Sequence, residues 1–529
     1  MRSVRLFELL RADAQRFPDK LAAVFPGREQ VTFGELDDRS DRVAARLRKL
    51  GIGPGDRVAI FHDNSLPGLV WFWGVQKVGA QTIDVPTLAG KPTIQGVLDE
   101  ARPKAIAFDA KQRKQLEGAE PLRLPPSWLA SGDVAELAKA HGARLHALDE
   151  ILATEHATCD VPAGGPDDVA LVVYTSGTTG RPNGVMLSHT NFVSNLRAAN
   201  ELMHLGADDS ILVVVPLYYI HGRMQLLLHT MLGGTLYFSA GFQFPAKVHA
   251  ELVEHGTTGF SGVPYHFKQL LERSKIAESP PPSLRYVLIT GGALTPAELR
   301  RLADALPNTG IHLAYGQTEA APRITWIGPD TLFAKPGSLG RALPGVNVEI
   351  LGADGLPVGP GQIGEVVAGG PNIMKGYVSG DERALGKIDA AGRLRTGDLG
   401  YLDADGDLFL VGRSSEMIKS AGERIFPQEV EDVVGRHPRV REVAVIGVPD
   451  ATLGEKLVAY VALHPGPEID LSDFRAHCLQ SLPFVRVPKS FEIVGELPKT
   501  ASGKISRSAI RKAVLEGTPV EAAKIDEGS

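Results

Sequence analysis

The sequence predicts an α/β protein: a large N-terminal domain of layered sheets with helices that carries a β-rich subdomain, then a small α+β C-terminal domain. Three observations carry that prediction. At 529 residues the chain exceeds the size that one hydrophobic core can serve, so more than one lobe is expected. Short β-branched runs at 58–61, 170–174, 211–215 and 286–290 alternate with helix-like stretches at 35–50, 191–205 and 296–305, the signature of parallel sheets layered with helices. From about Leu343 the texture changes to closely spaced strands and turns, with Asp354-Gly355 and Asp405-Gly406 as hairpin signals.

Taken in order, Met1-Arg2-Ser3-Val4-Arg5 has the charge of a secretory leader, but Glu8, Arg11 and Asp13 interrupt the apolar run a leader requires. The segment therefore reads as the first helix of the fold. Gly359-Pro360-Gly361-Gln362-Ile363-Gly364 fits G-x-G-x-x-G, yet it follows a Leu-Pro turn and leads into a strand, the wrong context for a dinucleotide site. Beyond Gly412-Arg413, a helix at 427–435, strands at 442–448 and 457–463 and a helix at 472–482 form a compact α+β unit. The expected domains are 1–413 and 414–529, with the boundary at Ser414 and Ser415. A charged, Ala-rich tail after Gly517 is expected to fray.

Composition excludes several classes. With 43% hydrophobic and 22% charged residues the chain is neither disordered nor collagenous, and a net charge of -6 lacks the basic footprint of a nucleic-acid binder. Cys159 and Cys478 alone support no disulfide framework and no cysteine-based metal site. No apolar run approaches the roughly 20 residues that span a bilayer. These features predict a cytoplasmic protein.

The richest segment is Tyr174-Thr175-Ser176-Gly177-Thr178-Thr179-Gly180-Arg181-Pro182-Asn183-Gly184, which follows a strand and precedes a helix-like run. Glycines let backbone N–H groups turn toward an anion, and the hydroxyls of Thr175, Ser176, Thr178 and Thr179 add donors, so the loop is expected to cradle phosphates. No Lys-Ser or Lys-Thr closes it, so it is not a Walker loop.

Together with Ala314-Tyr315-Gly316-Gln317-Thr318-Glu319, Arg395-Thr396-Gly397-Asp398, Gly412-Arg413 through Ile418-Lys419-Ser420-Ala421-Gly422-Glu423, and Pro498-Lys499-Thr500-Ala501-Ser502-Gly503-Lys504, this loop resembles the adenylate-forming superfamily of acyl-CoA synthetases, luciferases and peptide-synthetase adenylation domains. Five collinear motifs span most of the chain. The resemblance implies ATP-dependent activation of a carboxylic acid to an acyl-adenylate with pyrophosphate release, then thioester formation with coenzyme A. It implies Lys504 as the cation between substrate carboxylate and α-phosphate, where two anions must approach; one cation at about 4 Å is worth a few kcal/mol at an effective dielectric near 20. It further implies Glu319 as the Mg²⁺ ligand, Thr318 as a donor to the α-phosphate, Tyr315 stacked on adenine beside Gly316 and Gln317, and Gly292 and Ala293 lining the adenine and acyl pocket. Asp398 would accept the ribose hydroxyls and Arg413 support ribose or phosphate. By the same resemblance the small domain is mobile: after adenylation it rotates near Ser415, Lys504 leaves, and the loop with Lys419 and Gly422 lines the path of the thiol. A carrier-protein pantetheine is the alternative acceptor, and a non-catalytic nucleotide or acyl-adenylate binder the alternative role.

Three positions depart from the family pattern. Asn183 stands where the phosphate loop commonly has lysine, which predicts weaker ATP binding, and Ser415 stands at a hinge commonly Asp or Lys. Tyr219 occupies a common histidine position, with His221 two residues on. No Asp occurs between Pro216 and Leu228 to hold a substrate ammonium, so the expected substrate is a non-amino acid, fatty or aryl. Tyr218, Met224, Phe242 and Trp326 are candidates for an apolar wall, while Arg323 reads as solvated or as a polar element of the acyl pocket.

Overall fold

The alternation of runs resolves into two sheets, each built on six parallel strands. The structure, a computed structural model, describes residues 4–116, 122–157, 162–175, 183–292, 294–380, 386–467, 469–499 and 505–520. The chain divides into two compact units: Met1–Pro336 with Gly340–Val348 and Ala368–Arg395, and Gly337–Leu339 with Glu349–Val367 and Thr396–Ser529.

In the first unit an eight-stranded sheet runs Gly376–Tyr377, Asn183–Ser188, Val169–Thr175, Gln81–Asp84, Arg57–Phe61, Ala105–Asp109, Ser127–Ser131, Arg144–Ala147. The last six are mutually parallel. A nine-stranded sheet runs Arg341–Ala342, Arg323–Ile327, Gly310–Gly316, Tyr286–Thr290, Gly259–Gly262, Ser210–Val213, Thr235–Phe238, Leu21–Val24, Gln30–Thr32, with parallel pairing from Gly310–Gly316 through Leu21–Val24. Helices fill the space between the sheets, and the main core joins Val58 and Leu171 of one sheet to Ile211, Leu236 and Leu288 of the other through Trp71, Phe72, Phe192 and Leu226.

Local chemistry sets the helix starts. Thr32 with Glu35, Ser188 with Asn191 and Thr295 with Glu298 form reciprocal capping boxes for Phe33–Lys49, His189–Met203 and Pro296–Ala305. The helix Leu66–Val78 is absent from the expected helix-like stretches because it is buried on nearly every side and shows no amphipathic period. Ile220–Leu232 is hidden for the same reason.

The second unit holds a four-stranded sheet, Asn347–Leu351, Gly364–Gly369, Leu394–Leu402, Leu408–Arg413, in which both expected hairpins appear. Gly355 and Gly406 take the left-handed backbone their turns require, at φ 77° and 84°. The stretch at 359–364 is the predicted loop leading into a strand. The C-terminal portion packs Glu423–Ile425, Ile418–Ser420, Gly454–Leu463 and Val440–Asp450 with Ser490–Val494 against helices Pro427–Val434, Leu471–Leu479 and Arg507–Glu516. Among the described residues no helix is long and apolar enough to cross a membrane.

Candidate active site

Parallel α/β sheets place ligands beyond the carboxyl ends of their strands, and the site residues of the first unit lie there. Gly291 and Gly292 follow Tyr286–Thr290, and Tyr315, Gly316, Gln317, Thr318 and Glu319 end or follow Gly310–Gly316. Gly292 faces Pro264, whose ring lies where a Cβ would add contact at 3.1 Å. Gly316 admits no side chain, since a Cβ would lie 1.8 Å from the Pro322 carbonyl. Thr318–Ala320 forms one 3₁₀ turn, after which Ala321, at φ 53°, reverses the chain into Arg323–Ile327. That reversal buries Glu319 while Tyr315, Gln317 and Thr318 stay half-buried.

The phosphate loop starts at Thr175, the last residue of Val169–Thr175; Ser176, Gly177, Thr178, Thr179 and Gly180 lie outside the described residues. Its exit is a correction to the sequence reading: Asn183–Ser188 is a strand antiparallel to Val169–Thr175, with Thr175 opposite Asn183, and the helix begins only at His189. Val185-Met186-Leu187 is an apolar run suited to a buried strand, which is why it pairs before the helix can start.

Segment 372–378, which sequence reasoning did not single out, ties this exit strand to Glu319. The Met374 amide donates to the Glu319 carbonyl at 2.9 Å, the Lys375 amide to the Met186 carbonyl at 2.9 Å and the Val378 amide to the Gly184 carbonyl at 2.9 Å. The Tyr377 hydroxyl donates to Glu319 Oε1 at 2.6 Å. Burial first, and the Glu319 charge second, push the Tyr377 pKa up, so it stays a protonated donor. With one oxygen held, Glu319 keeps its second for a hard cation, which fits the Mg²⁺ role. A lone Gly-Tyr pair carries no motif that would have revealed this.

On the nine-stranded sheet, His221 Nε2 lies 2.7 Å from Ser261 Oγ, which itself donates to the Leu288 carbonyl at 3.1 Å. Ser261 therefore accepts from His221, fixing the Nε2–H tautomer. Tyr218 and Tyr219 rings meet at 4.6 Å, and Phe242 packs on His266 at 4.4 Å. Met224, Tyr218 and Trp326 are buried core and Phe242 is half-buried. Arg323 is also buried, so the solvated reading of it is overturned: its strand pairs inside the sheet opposite Gly316, leaving no solvent face.

In the second unit Asp398 and Arg413 are cross-strand partners, and Arg413 Nε donates to Asp398 Oδ1 at 3.0 Å. Thr396 Oγ1 donates to the Val366 carbonyl at 2.6 Å and accepts the Asp398 amide at 3.1 Å, so the neighbouring hydroxyl is used in structure. Lys419 has an exposed side chain on Ile418–Ser420, and Ala421 and Gly422, at φ 50° and 81°, form the two-residue turn to Glu423–Ile425. Ser415 lies in the single turn Ser414–Glu416. Ala293 and Lys504 lie outside the described residues; Lys499 and Ile505, which flank the Lys504 loop, form an antiparallel bridge.

Comparison with known proteins agrees with these motifs. Residues 10–378 match the AMP-binding enzyme model and residues 429–504 the AMP-binding enzyme C-terminal domain. The chain is 32% identical to the sulfoacetate–CoA ligase of Cupriavidus necator, over 95% of this chain and 96% of that protein. It is 34% identical to the feruloyl-CoA synthase of an Amycolatopsis species, over 94% and 96%. The o-succinylbenzoate CoA synthetase of Bacillus subtilis, solved with its acyl-adenylate intermediate, superposes with a TM-score of 0.82 at 26% identity, covering 97% of this chain and 98% of that one. The chain belongs to the adenylate-forming acyl-CoA ligase family.

Proposed function

We propose that this protein activates a non-amino carboxylic acid with ATP, forming an acyl-adenylate, and passes the acyl group to coenzyme A. The observation that carries the reading is the link through segment 372–378, which holds the Glu319 carboxylate against the strand leaving the phosphate loop. Glu319, the proposed cation ligand, is thereby tied to the strand that leaves the proposed phosphate loop, which suits phosphoryl chemistry governed by positioning and charge.

In the first step a carboxylate oxygen forms a bond to the α-phosphorus and the bond to the pyrophosphate oxygen breaks. Thr175, Ser176, Gly177, Thr178, Thr179 and Gly180 bind the phosphates, Thr318 donates to the α-phosphate, and Lys504 draws the two anions together. Mg²⁺, when bound, neutralises phosphate charge; Glu319 is the residue to hold it. Tyr315, Gly316, Gln317, Gly292 and Ala293 enclose adenine and the acyl group, while Asp398 takes the ribose hydroxyls and Arg413 supports them. In the second step the thiol sulfur attacks the acyl carbon and AMP departs. Residues 414–529 form the body that turns about Ser415 between steps, bringing Lys419 and Gly422 to the thiol.

The named relatives act on acids as unlike as sulfoacetate and the feruloyl group, so the substrate must be read from this chain's own pocket. The test is pyrophosphate release and thioester formation by the purified protein with ATP, Mg²⁺, CoA and a broad acid panel. Pyrophosphate and acyl-CoA are expected with at least one acid, both lost in Lys504→Ala. Pyrophosphate with thioester only on a carrier protein would replace the acceptor, and a folded protein silent across the panel would end the catalytic reading.

A further inference from the structure

Arg323 is 4% exposed, and burial lowers its pKa to about 10. A buried guanidinium ordinarily has a carboxylate beside it, because an unpaired charge in the interior costs several kcal/mol. This protein follows the rule elsewhere: buried Arg223 meets buried Asp84 at 2.6 Å. Arg323 breaks it. Among the described residues it forms no ion pair; Nη1 donates to Asn195 Oδ1 at 3.3 Å, and the guanidinium stands 6.0 Å from the Trp326 ring centroid, with Tyr286 as its electrostatic neighbour.

Helix Ile220–Leu232 carries a polar group that has no partner. Helix Ile220–Leu232 runs along the inner face of the nine-stranded sheet, with His221 reaching Ser261 at 2.7 Å and His229 reaching the Tyr286 hydroxyl at 3.0 Å. Residues four apart share a helix face, so Gln225 faces the sheet between those contacts. Gln225 is 3% exposed, and neither its Nε2 nor its Oε1 has a hydrogen-bond partner. Tyr286, whose hydroxyl donates to His229 Nε2 because Nδ1–H is committed to the Gln225 carbonyl, is also the neighbour of Arg323. A buried cationic fork with no carboxylate and a buried amide with no hydrogen-bond partner are thus linked through Tyr286 on the sheet that bears Gly292 and Tyr315.

Resting on the proposed acid activation, we propose that Arg323 and Gln225 receive a second anionic group of the acid substrate, a carboxylate or a sulfonate, at the inner end of the acyl pocket. The substrate class is then a carboxylic acid with a distal oxyanion rather than a simple fatty acid. Charge-assisted, two-pronged recognition of an oxyanion is what a guanidinium offers, and the bound anion would supply the missing partner.

The experiment compares pyrophosphate release with diacids and sulfocarboxylates of graded length against their monomethyl esters and methyl-terminated analogues. It also follows the shift in melting temperature each acid induces without ATP. The dianionic acids should exceed their neutral-ended analogues in kcat/KM by about 10- to 100-fold, the span of a charge-assisted hydrogen bond. Arg323→Met should bring that ratio toward one, abolish the acid-induced shift, and leave the unliganded melting temperature unchanged or higher, because an unpaired buried charge has gone. Gln225→Leu, which removes a donor and no charge, should cut the ratio less. A lead for the sulfonates or for the dicarboxylates supports the proposal and assigns the anion. Equal rates for dianionic and neutral-ended acids, or variants that keep the preference, would overturn it while leaving acid activation standing. If no acid releases pyrophosphate the activation reading falls, and absence of any dianion-induced shift then overturns this inference as well.

Discussion

Tyr377 illustrates how one side chain outside every recognisable motif can orient a buried carboxylate. Its 2.6 Å hydrogen bond fixes the orientation of Glu319 and occupies one of its two oxygens. Removal of a hydrogen bond to a charged group typically costs about 1.5–3 kcal/mol, so Tyr377→Phe should slow acyl-adenylate formation by roughly 10- to 100-fold and raise the Mg²⁺ concentration giving half-maximal rate. Thioester formation from supplied acyl-adenylate, which needs no bound pyrophosphate, should change little. A matched loss in both half-reactions would mean that Tyr377 serves the fold and not Glu319. At this scale legibility was uneven. Glu319, Asp398 and Arg413 were proposed as site residues because their neighbours form recognisable strings, whereas Tyr377, Gln225 and the missing carboxylate at Arg323 depend on partners far away in sequence. No local pattern reports that a guanidinium lacks a carboxylate; only the folded contacts do.

At the scale of elements, the last helix Arg507–Glu516 anchors itself to the start of the C-terminal portion through one residue. Arg507 donates from Nη1 to Glu416 Oε2 at 2.7 Å and from Nη2 to Glu431 Oε2 at 2.5 Å. Burial works against its charge, yet Glu431 and Glu416 hold its pKa above the ordinary arginine value. Glu431 is itself only 6% exposed. Arg507 is half-buried, and its loss strands the buried Glu431 charge, so Arg507→Met should destabilise the protein by about 2 kcal/mol, between exposed and fully buried pairs, read from denaturant titration of the full chain. A loss below about 1 kcal/mol would class the pair with exposed ones. Helix Pro296–Ala305 is legible to the residue in the sequence because a capping threonine, a helix-starting proline and an amphipathic face all agree there. Leu66–Val78 and Ile220–Leu232 are not, because nearly all-round burial erases the period that identifies a helix.

Across the whole molecule, the strand–helix alternation and the later hairpins were legible because they repeat many times, and each repetition supports the others. The electrical character of the interior was not. His62, His189, His229 and His312 are all buried, and burial lowers each pKa from 6.5 to about 4. In the unfolded chain these histidines would bind protons near the ordinary value, while in the folded protein they remain neutral until far lower pH. Between those limits the unfolded state holds more protons, so stability rises with pH and is lost as pH falls from about 6.5 toward 4. Each histidine contributes up to about 1 kcal/mol per pH unit in that window, enough for four acting together to rival the whole stability of an ordinary domain. The melting temperature should therefore be nearly flat above pH 7 and drop steeply between pH 6.5 and 5. His229→Gln, which keeps polarity at the Tyr286 contact but cannot titrate, should flatten that slope by close to one proton. A melting temperature independent of pH over this interval would show that these imidazoles are protonated alike in both states.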